Sequence, residues 1–264
     1  MTRFLLMAMS SIALCSWTSI SIGAAAEKGG GQSTDFALPA HTATYDVFRR
    51  GSKIGEVDVS LSRDEEGIWF FDTRTTATAR LARLLGARAE ESAHFVWNAA
   101  RERVQMLTYR HVARIAVRNR FWQHELDWSE NLSNTQTYEG DHRIELEPDL
   151  LDPLTMRLQL AVDMVEPEAR RVDHEFRVLE RDEIENQFFY YLGDERIEVP
   201  IGCFDALRMH RFRKEGSSRN YHSWHAAEFY WMPVRILQFE DGEEALDIQL
   251  ARTDLDLSAS CSGG

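Results

Sequence analysis

Alternation of polar and apolar residues over short segments is the feature that most limits how this chain can fold. Residues 57–61 and 246–250 place an apolar side chain at every second position, and residues 172–178 follow the same period with His174 among the apolar ones. Strands with one wet and one dry face are typical of antiparallel sheets, because parallel strands are usually buried on both faces. Turn residues separate these segments at positions 50–52, 66–67, 193–194, 216–218 and 241–242. The pattern therefore predicts strands joined by hairpins.

One helix is predicted among the strands, over residues 154–165. Asp152 suits its N-cap and Pro153 its first position. Apolar side chains cover about two-thirds of its circumference. The remaining polar stripe consists of Thr155, Gln159 and Asp163. Since a helix this apolar must be enclosed, the predicted fold is mainly β, with a strongly curved antiparallel sheet, a half-barrel, wrapped on one central helix.

The first 26 residues have the features of an export signal. Arg3 precedes an apolar run over residues 4–22, and small residues follow up to Ala26. A membrane anchor is the alternative, but hydroxyl residues interrupt the run; a lipid anchor at Cys15 is disfavoured because Leu14 precedes it. We expect cleavage near Ala26, a periplasmic or secreted protein, and no integral membrane span in the mature chain.

The rest of the chain is predicted to form a single domain. Residues 27–40, rich in Gly, Ser and Thr, indicate a flexible lead-in, residues 41–257 a β-rich domain, and residues 258–264 a C-terminal tail. A short helical piece is predicted near residues 79–85. The net charge of −13 disfavours nucleic acid as a partner, because a polyanion would repel the protein.

Cys203 and Cys261 remain after removal of the signal. An even pair in an oxidising compartment favours a disulfide that pins the tail to the domain. The alternative is two separate thiols, with Cys203 buried and Cys261 on a frayed end.

No catalytic, metal or cofactor site is predicted. His222 and His225 lie three apart, so in a strand they point to opposite faces and cannot readily share one ion. No Gly-x-Ser-x-Gly motif occurs, and the acidic runs at 64–66 and 241–244 coincide with turns. A glycan hydrolase stays open as an alternative, and it would require two inward carboxylates in a cleft.

Consecutive aromatic residues give the functional lead. Residues 69–71, 188–191 and 229–231 place rings on both faces of their strands. These rings either fill a core around the helix or line a groove for an acyl chain or another apolar molecule. The residues predicted to line such a groove are Trp69, Phe71, Trp122, Met156, Leu160, Trp224 and Trp231, with Arg235 as a head-group contact. The alternative for Arg235 is an exposed position on the solvent face.

The predicted function is thus a non-catalytic binder or carrier of a hydrophobic or lipid-like ligand of the cell envelope. The alternative, from a different class, is an assembly factor that contacts another envelope protein through a sheet edge or an aromatic patch.

Five motifs along the chain carry a family resemblance. They are Ile54-Gly55-Glu56, Glu91-Ser92-Ala93-His94-Phe95, Leu151-Asp152-Pro153-Leu154, Val199-Pro200-Ile201-Gly202-Cys203 and Met232-Pro233-Val234-Arg235-Ile236. Their order and spacing resemble the bacterial envelope family called domain of unknown function 3108, over nearly the whole mature chain. The resemblance implies an exported protein with a twisted sheet similar to the half-barrel of lipoprotein-carrier proteins, and it implies no activity. Cys203 departs from it, since a small residue such as Thr is expected there, so a disulfide would be particular to this branch.

Overall fold

The computed structural model describes residues 35–78, 88–115, 118–212, 217–257 and 261. The predicted signal over residues 1–26, most of the lead-in, the helical piece predicted at 79–85 and most of the tail lie outside these residues. In the described parts of the chain, no helix combines the length and the apolar character that a membrane crossing requires.

The described strands form one antiparallel sheet of 14 strands. They are β1 (His41–Arg49), β2 (Ser52–Arg63), β3 (Trp69–Ala77), β4 (Arg88–Asn98), β5 (Arg103–Ile115), β6 (Arg118–Asp127), β7 (Leu132–Thr137), β8 (Gly140–Glu145), β9 (His174–Glu180), β10 (Glu183–Val199), β11 (Gly202–Phe212), β12 (Arg219–Ala226), β13 (Pro233–Glu240) and β14 (Glu243–Thr253). Each strand pairs with its neighbour in sequence, and β1 also pairs with β14. This pairing joins the two ends of the domain inside the sheet and leaves β8 and β9 at its edges.

In the part of the chain that the structure describes there is one α-helix, α1 (Thr155–Asp163), and it lies on the connection from one edge of the sheet to the other. Before it, Leu151 forms a parallel bridge to Val178 of the edge strand β9. After it come a short 3₁₀ turn at Pro167–Ala169 and then β9. The connection places the helix against the concave face of the curved sheet. A curved antiparallel sheet wrapped on one helix is the predicted fold class.

Inward-facing side chains of neighbouring strands form continuous buried rows. One row runs Leu61, Phe71, Ala93 and Tyr109 across β2 to β5, and all four residues are buried. Helix residues such as Leu158 belong to the same cluster of buried side chains. In these strands the period of two in the sequence therefore places one face toward the helix, as predicted.

Two predicted turns are tight hairpins with the expected backbone. Arg50 and Gly51 have φ of 50° and 73°, and Asp241 and Gly242 have φ of 52° and 82°. Positive φ at both central positions matches the type I′ turn that suits the twist of antiparallel strands. The turn predicted at 193–194 is wrong: β10 runs through it, with a register shift next to Gly193. A glycine inside a strand accommodates such a bulge as readily as a turn.

The packed domain begins before the predicted boundary at residue 41. The ring of Phe36 lies 4.9 Å from that of Trp69 and 5.5 Å from that of Phe95, centroid to centroid. Leu38 is buried in the same cluster. The predicted lead-in over residues 27–40 is therefore wrong at its C-terminal end, because two apolar side chains among the small polar ones are enough to anchor it to the core.

Asp152 caps the start of the helix, as predicted, although the regular helix begins at Thr155. Its Oδ1 accepts hydrogen bonds from the backbone N–H groups of Leu154 at 2.7 Å and Thr155 at 2.9 Å. The Thr155 hydroxyl in turn accepts the backbone N–H of Asp152 at 2.9 Å. These reciprocal bonds satisfy donors that a helix N-terminus leaves unpaired.

The predicted polar stripe of the helix faces protein instead of water. Thr155 and Gln159 are fully buried, and Asp163 pairs with Arg103 at 2.6 Å. Gln159 Oε1 accepts the backbone N–H of Val104 at 2.8 Å, while its Nε2 donates to Asp163 at 2.8 Å. The stripe thus fastens α1 to the hairpin that opens β5, so the orientation of the helix about its axis is fixed.

We expect Gln159→Leu to lower the free energy of unfolding by about 2 kcal/mol, because it leaves the buried N–H of Val104 without an acceptor. Urea unfolding of the purified protein measures this. The matched control is Gln136→Leu, since Gln136 is exposed and bonds only to Gln123 on the neighbouring strand. The control should change stability by less than about 0.5 kcal/mol. Equal losses in both variants would contradict a fastening role for Gln159.

Candidate functional site

An apolar cavity of about 310 Å³ lies between the concave face of the sheet and the helix. Val57, Phe71, Ile236 and Ile248 are among its walls, and Leu160 contributes from the helix. Most of its wall residues belong to β1, β2, β3, β12, β13 and β14, the strands on either side of the β1–β14 pairing. Protein interiors are normally packed without such voids, so an apolar space of this size has the dimensions of a small ligand site.

A second space, of about 480 Å³, adjoins the apolar cavity and is called here the polar cleft. Its charged and aromatic lining consists of Glu91, Tyr109, His111, Arg120, Trp122, Arg157, Glu180, Arg211, Arg219 and Tyr221. Four of these residues, Glu91, Arg157, Arg211 and Tyr221, also line the apolar cavity. These four residues form a polar wall between the two spaces, called here the shared wall. The side chains that line the site are mostly apolar on one side of this wall and mostly polar or charged on the other.

Arg157 places a positively charged side chain of the helix in the shared wall. The described residues provide its guanidinium with no hydrogen-bond or ion-pair partner. Arg211 reaches the wall from β11, where its Nε donates to Gln187 Oε1 at 3.3 Å and its guanidinium lies over the Tyr221 ring at 5.2 Å. The geometry presents guanidinium groups at the mouth of an apolar space, where they can bind a carboxylate or phosphate.

Glu91 is the carboxylate of the shared wall. It accepts the Tyr109 hydroxyl at 3.2 Å, and its other oxygen lies 3.4 Å from His111 Nδ1. Burial by itself raises the pKa of Glu91, but the bonds to His111 and Tyr109 and the charge of Arg157 outweigh it, so its pKa is lowered. Glu91 is accordingly ionised at neutral pH.

The polar cleft meets one requirement for a glycan hydrolase, since Glu91 and Glu180 both line it. The general acid of such an enzyme needs a carboxyl group with a raised pKa. Glu91 has a lowered one. Asp152 has its pKa raised to about 6 by burial, yet it is fully buried at the helix start and its Oδ1 is occupied by the cap. Neither Glu91, whose pKa is lowered, nor Asp152, which is held in the helix cap, therefore fits the role of that acid.

Three of the predicted groove residues line these spaces: Phe71 and Leu160 face the apolar cavity, and Trp122 faces the polar cleft. Trp69 stacks parallel to Phe95 within the core, 6.3 Å between centroids, and Met156 is fully buried. These two residues contribute packing and do not border either space.

Three other predicted groove residues lie away from the site. Ser223 and His225 line the apolar cavity, so Trp224 between them points to the outer face, where its Nε1 donates to Glu195 at 2.9 Å. Trp231 packs under the guanidinium of Arg170, 4.8 Å from its ring centroid. The predictions for Trp224 and Trp231 as groove residues are wrong. The Trp224 ring lies on the outer face of β12 under charged side chains, and Trp231, which precedes β13, is partly buried against the core beside Arg170.

Arg235 was predicted as a head-group contact, and the structure places it elsewhere. Val234 is buried and Ile236 lines the cavity, so the side chain between them points outward. There its Nε and terminal nitrogen donate to the two carboxylate oxygens of Asp247, both at 2.9 Å. This bidentate pair occupies Arg235, and Arg235 is not among the residues that line either space.

The disulfide between Cys203 and Cys261 is present. Glu198 lies beside the two sulfur atoms, with candidate ligand atoms within 4.8 Å of one another. Sulfur atoms bonded to each other offer no thiolate to a metal ion. His222 and His225 lie on opposite faces of β12, since His225 lines the cavity and the His222 ring contacts Phe239 on the outer face.

Sequence reasoning missed Arg157, Glu91 and Tyr221. One signal was available for Arg157, because it is the only charged residue between Leu154 and Val162 of a mainly apolar helix. A single cation within such a helix must either pair with an acid or face a space. Glu91 is the first residue of one of the five motifs, but its position there did not indicate a function. Tyr221 gives no comparable signal.

The chain matches no family model and no curated protein. It is similar to the crystal structure of a beta-barrel-like protein of domain of unknown function DUF1849 from Brucella abortus, with a TM-score of 0.54 and 9% identity over 83% of this chain and 98% of that one. At this identity the likeness shows a shared fold alone. The crystal structure of MucB aligns with a TM-score of 0.29 and 11% identity over 86% of this chain and 56% of that one, too slight a likeness to support a conclusion. Neither protein is described as a member of domain of unknown function 3108, so that family stays a prediction.

Proposed function

We propose that this protein is a non-catalytic binder or carrier of a hydrophobic or lipid-like molecule of the cell envelope. One observation carries the proposal: the space between sheet and helix is only partly filled, and the cavity left there is lined mainly by apolar side chains such as Val57, Phe71 and Leu160. Apolar cavities are poorly solvated, and they gain stability when an apolar molecule enters.

The proposed location is the periplasm or the outside of the cell. The export signal predicted over residues 1–26 supports it, and so does the disulfide between Cys203 and Cys261, because disulfides persist in oxidising compartments. We also propose, from the five sequence motifs, that the chain is a member of domain of unknown function 3108. Membership would agree with export, and it would assign no activity to the protein.

Filling the cavity tests the proposal. Thr75 on β3 lines the apolar cavity, whereas the next residue, Thr76, is exposed on the opposite face. We expect Thr75→Trp to weaken binding of an uncharged apolar dye at least tenfold, because the indole occupies the ligand's space. Thr76→Trp is the matched control and should bind the dye within twofold of the unchanged protein. Fluorescence titration measures both.

Natively purified protein provides a second readout. Solvent extraction followed by mass spectrometry should release a lipid-like molecule from the unchanged protein and from the Thr76→Trp variant, and less of it from Thr75→Trp. An extract without any lipid-like molecule, together with equal dye binding by both variants, would contradict the proposal.

An assembly factor that binds another envelope protein is the second candidate function. The observation that favours it is a group of neighbouring rings on the outer face, opposite the cavity: Phe188, Tyr190, His210, Phe212, His222 and Phe239. Aromatic side chains are enriched in protein interfaces. Chemical cross-linking in cells distinguishes the two: a stable partner lost on Tyr190→Ala, with dye binding unchanged, would favour the assembly factor.

A further inference from the structure

The shared wall between the apolar cavity and the polar cleft limits the kind of molecule that fits both. Leu160 and Val57 border the apolar side, and Arg157 and Arg211 border both sides. A ligand that extends across the wall must place an apolar part among aliphatic side chains and a polar part among guanidinium groups. Such a ligand is an amphiphile.

The charges of the polar cleft have the opposite balance to those of the whole chain. The chain has 43 acidic and 30 basic residues. The cleft is lined by four arginines, at 120, 157, 211 and 219, and by two carboxylates, Glu91 and Glu180. A local excess of cations in an acidic protein concentrates a positive potential at this site, which attracts an anion and repels a cation.

Arg157 is the member of this group best prepared for a ligand. Arg219 is engaged with Glu240 at 3.1 Å, and Arg211 donates to Gln187. The Glu91 carboxylate, the acid of the shared wall, already takes bonds from the Tyr109 hydroxyl and His111. The guanidinium of Arg157 makes no such bond with the described residues, so its planar set of donors can receive two oxygens of one anion.

The position of Arg157 is fixed by the helix. Met156 and Leu158 on either side of it are fully buried, and Gln159 fastens the helix to β5 through the backbone of Val104. A helix fastened in this way fixes the backbone of Arg157, so only its side chain loses rotamer freedom on binding, and the side from which a head group is held is set.

We infer that the ligand is an anionic amphiphile whose carboxylate or phosphate binds Arg157, with its apolar chain in the cavity beside Leu160. This inference rests on the proposed function and names its ligand class. Carboxylate and phosphate have the same bidentate chemistry toward arginine, so the probes below include both.

The test compares probes with the same alkyl chain and different head groups: dodecanoate, dodecyl phosphate, dodecanol and dodecylamine. Each displaces the uncharged dye from the full mature chain. We expect at least one of the two anions to bind tenfold or more tightly than dodecanol, and dodecylamine to bind no better than dodecanol. The anion that binds more tightly identifies the head group as carboxylate or phosphate.

Arg157→Gln should remove this preference, so that both anions bind within twofold of dodecanol, because glutamine keeps a polar side chain without the charge. A circular dichroism spectrum equal to that of the unchanged protein, with a cooperative urea transition, shows that the variant folds. The matched control is Arg171→Gln, since Arg171 is an exposed arginine paired with Asp194 at 2.7 Å on the surface. It should behave as the unchanged protein.

The outcomes separate this inference from the function on which it rests. If dodecanol binds as tightly as both anions, or if dodecylamine binds most tightly, the anionic head group is wrong while a hydrophobic carrier stands. An anion preference that survives Arg157→Gln overturns the role of Arg157. If no probe displaces the dye and the dye itself does not bind, the carrier function fails.

Discussion

Replacing Cys203 and Cys261 together by serine is expected to lower the free energy of unfolding by about 4 kcal/mol. The bridge joins residues 58 positions apart, from the start of β11 to a point beyond the end of β14. Closing a loop of that length restricts the unfolded chain far more than the folded one. Leu255 and Leu257 pack against the core just before Cys261, so the native tail already lies close to the domain.

Urea unfolding of the mature chain, with and without a reductant, measures this effect. Reduction of the unchanged protein should reproduce the stability of the double variant, and reductant should not affect the double variant. If the double variant lost less than about 1 kcal/mol, the bridge would not restrict the unfolded chain as the chain-entropy model requires. Dye binding should persist at low urea, because neither cysteine lines the cavity.

Much of the fold follows from local pattern. In β2 and β14 the period of two places Leu61 and Leu250 in the core, and every strand with this period has one face toward the helix. The apolar circumference of the helix required an enclosure, and a curved sheet is the enclosure available to a chain of hairpins. These inferences needed only neighbouring residues, which is why the sequence alone supports them.

The site could not be predicted in the same way. A cavity is the absence of packing among residues far apart in sequence, and no local period reports it. β12 shows the difficulty, because its inward residues are Tyr221, Ser223 and His225, while Trp224 faces outward. Trp224 is buried there by Arg208 and Arg235, whose guanidinium groups lie 5.1 and 5.2 Å from its ring centroid.

The reversed polarity of β12, with polar side chains facing inward and a tryptophan facing outward, has a physical explanation. Polar inward residues are unfavourable in a filled core, since each needs a buried hydrogen-bond partner. Ser223 and His225 meet this need by bonding to each other at 2.8 Å, and they border the cavity. A strand that reverses the usual polarity beside an unfilled space is where a binding site is expected, because functional sites are where local rules and overall fold disagree.

Acid should destabilise this protein through its buried histidines. His124 and His225 are buried, and burial lowers the pKa of each to about 4 in the folded state; for His225 a hydrogen bond to the Trp231 carbonyl opposes the shift. In the unfolded chain both titrate near the ordinary value of 6.5. Between these values the unfolded state binds protons that the folded state does not, so stability falls as the pH drops.

Asp152 acts in the opposite direction over the same range. Burial raises the pKa of its carboxyl group from 3.8 to about 6, so below pH 6 the folded state takes up a proton that the unfolded state leaves off. From pH 7 to pH 5 each histidine should remove on the order of 2 kcal/mol, and Asp152 should return on the order of 1 kcal/mol. The net expected loss from these three groups is roughly 3 kcal/mol.

Urea unfolding at pH 7 and pH 5 measures the loss of stability, and a substitution at His124 shows how much of the loss comes from that residue. His124→Phe keeps a ring next to Tyr109, with which His124 stacks at 5.7 Å, and removes the titrating group. Its stability should fall by on the order of 2 kcal/mol less than that of the unchanged protein between the two pH values. Gln136→Leu on the neighbouring strand β7 is the control, because it removes no titrating group, and its pH dependence should equal that of the unchanged protein. An unaltered pH dependence in His124→Phe would mean that this histidine takes up a proton as readily in the folded as in the unfolded state, which would contradict the lowered pKa of its buried ring.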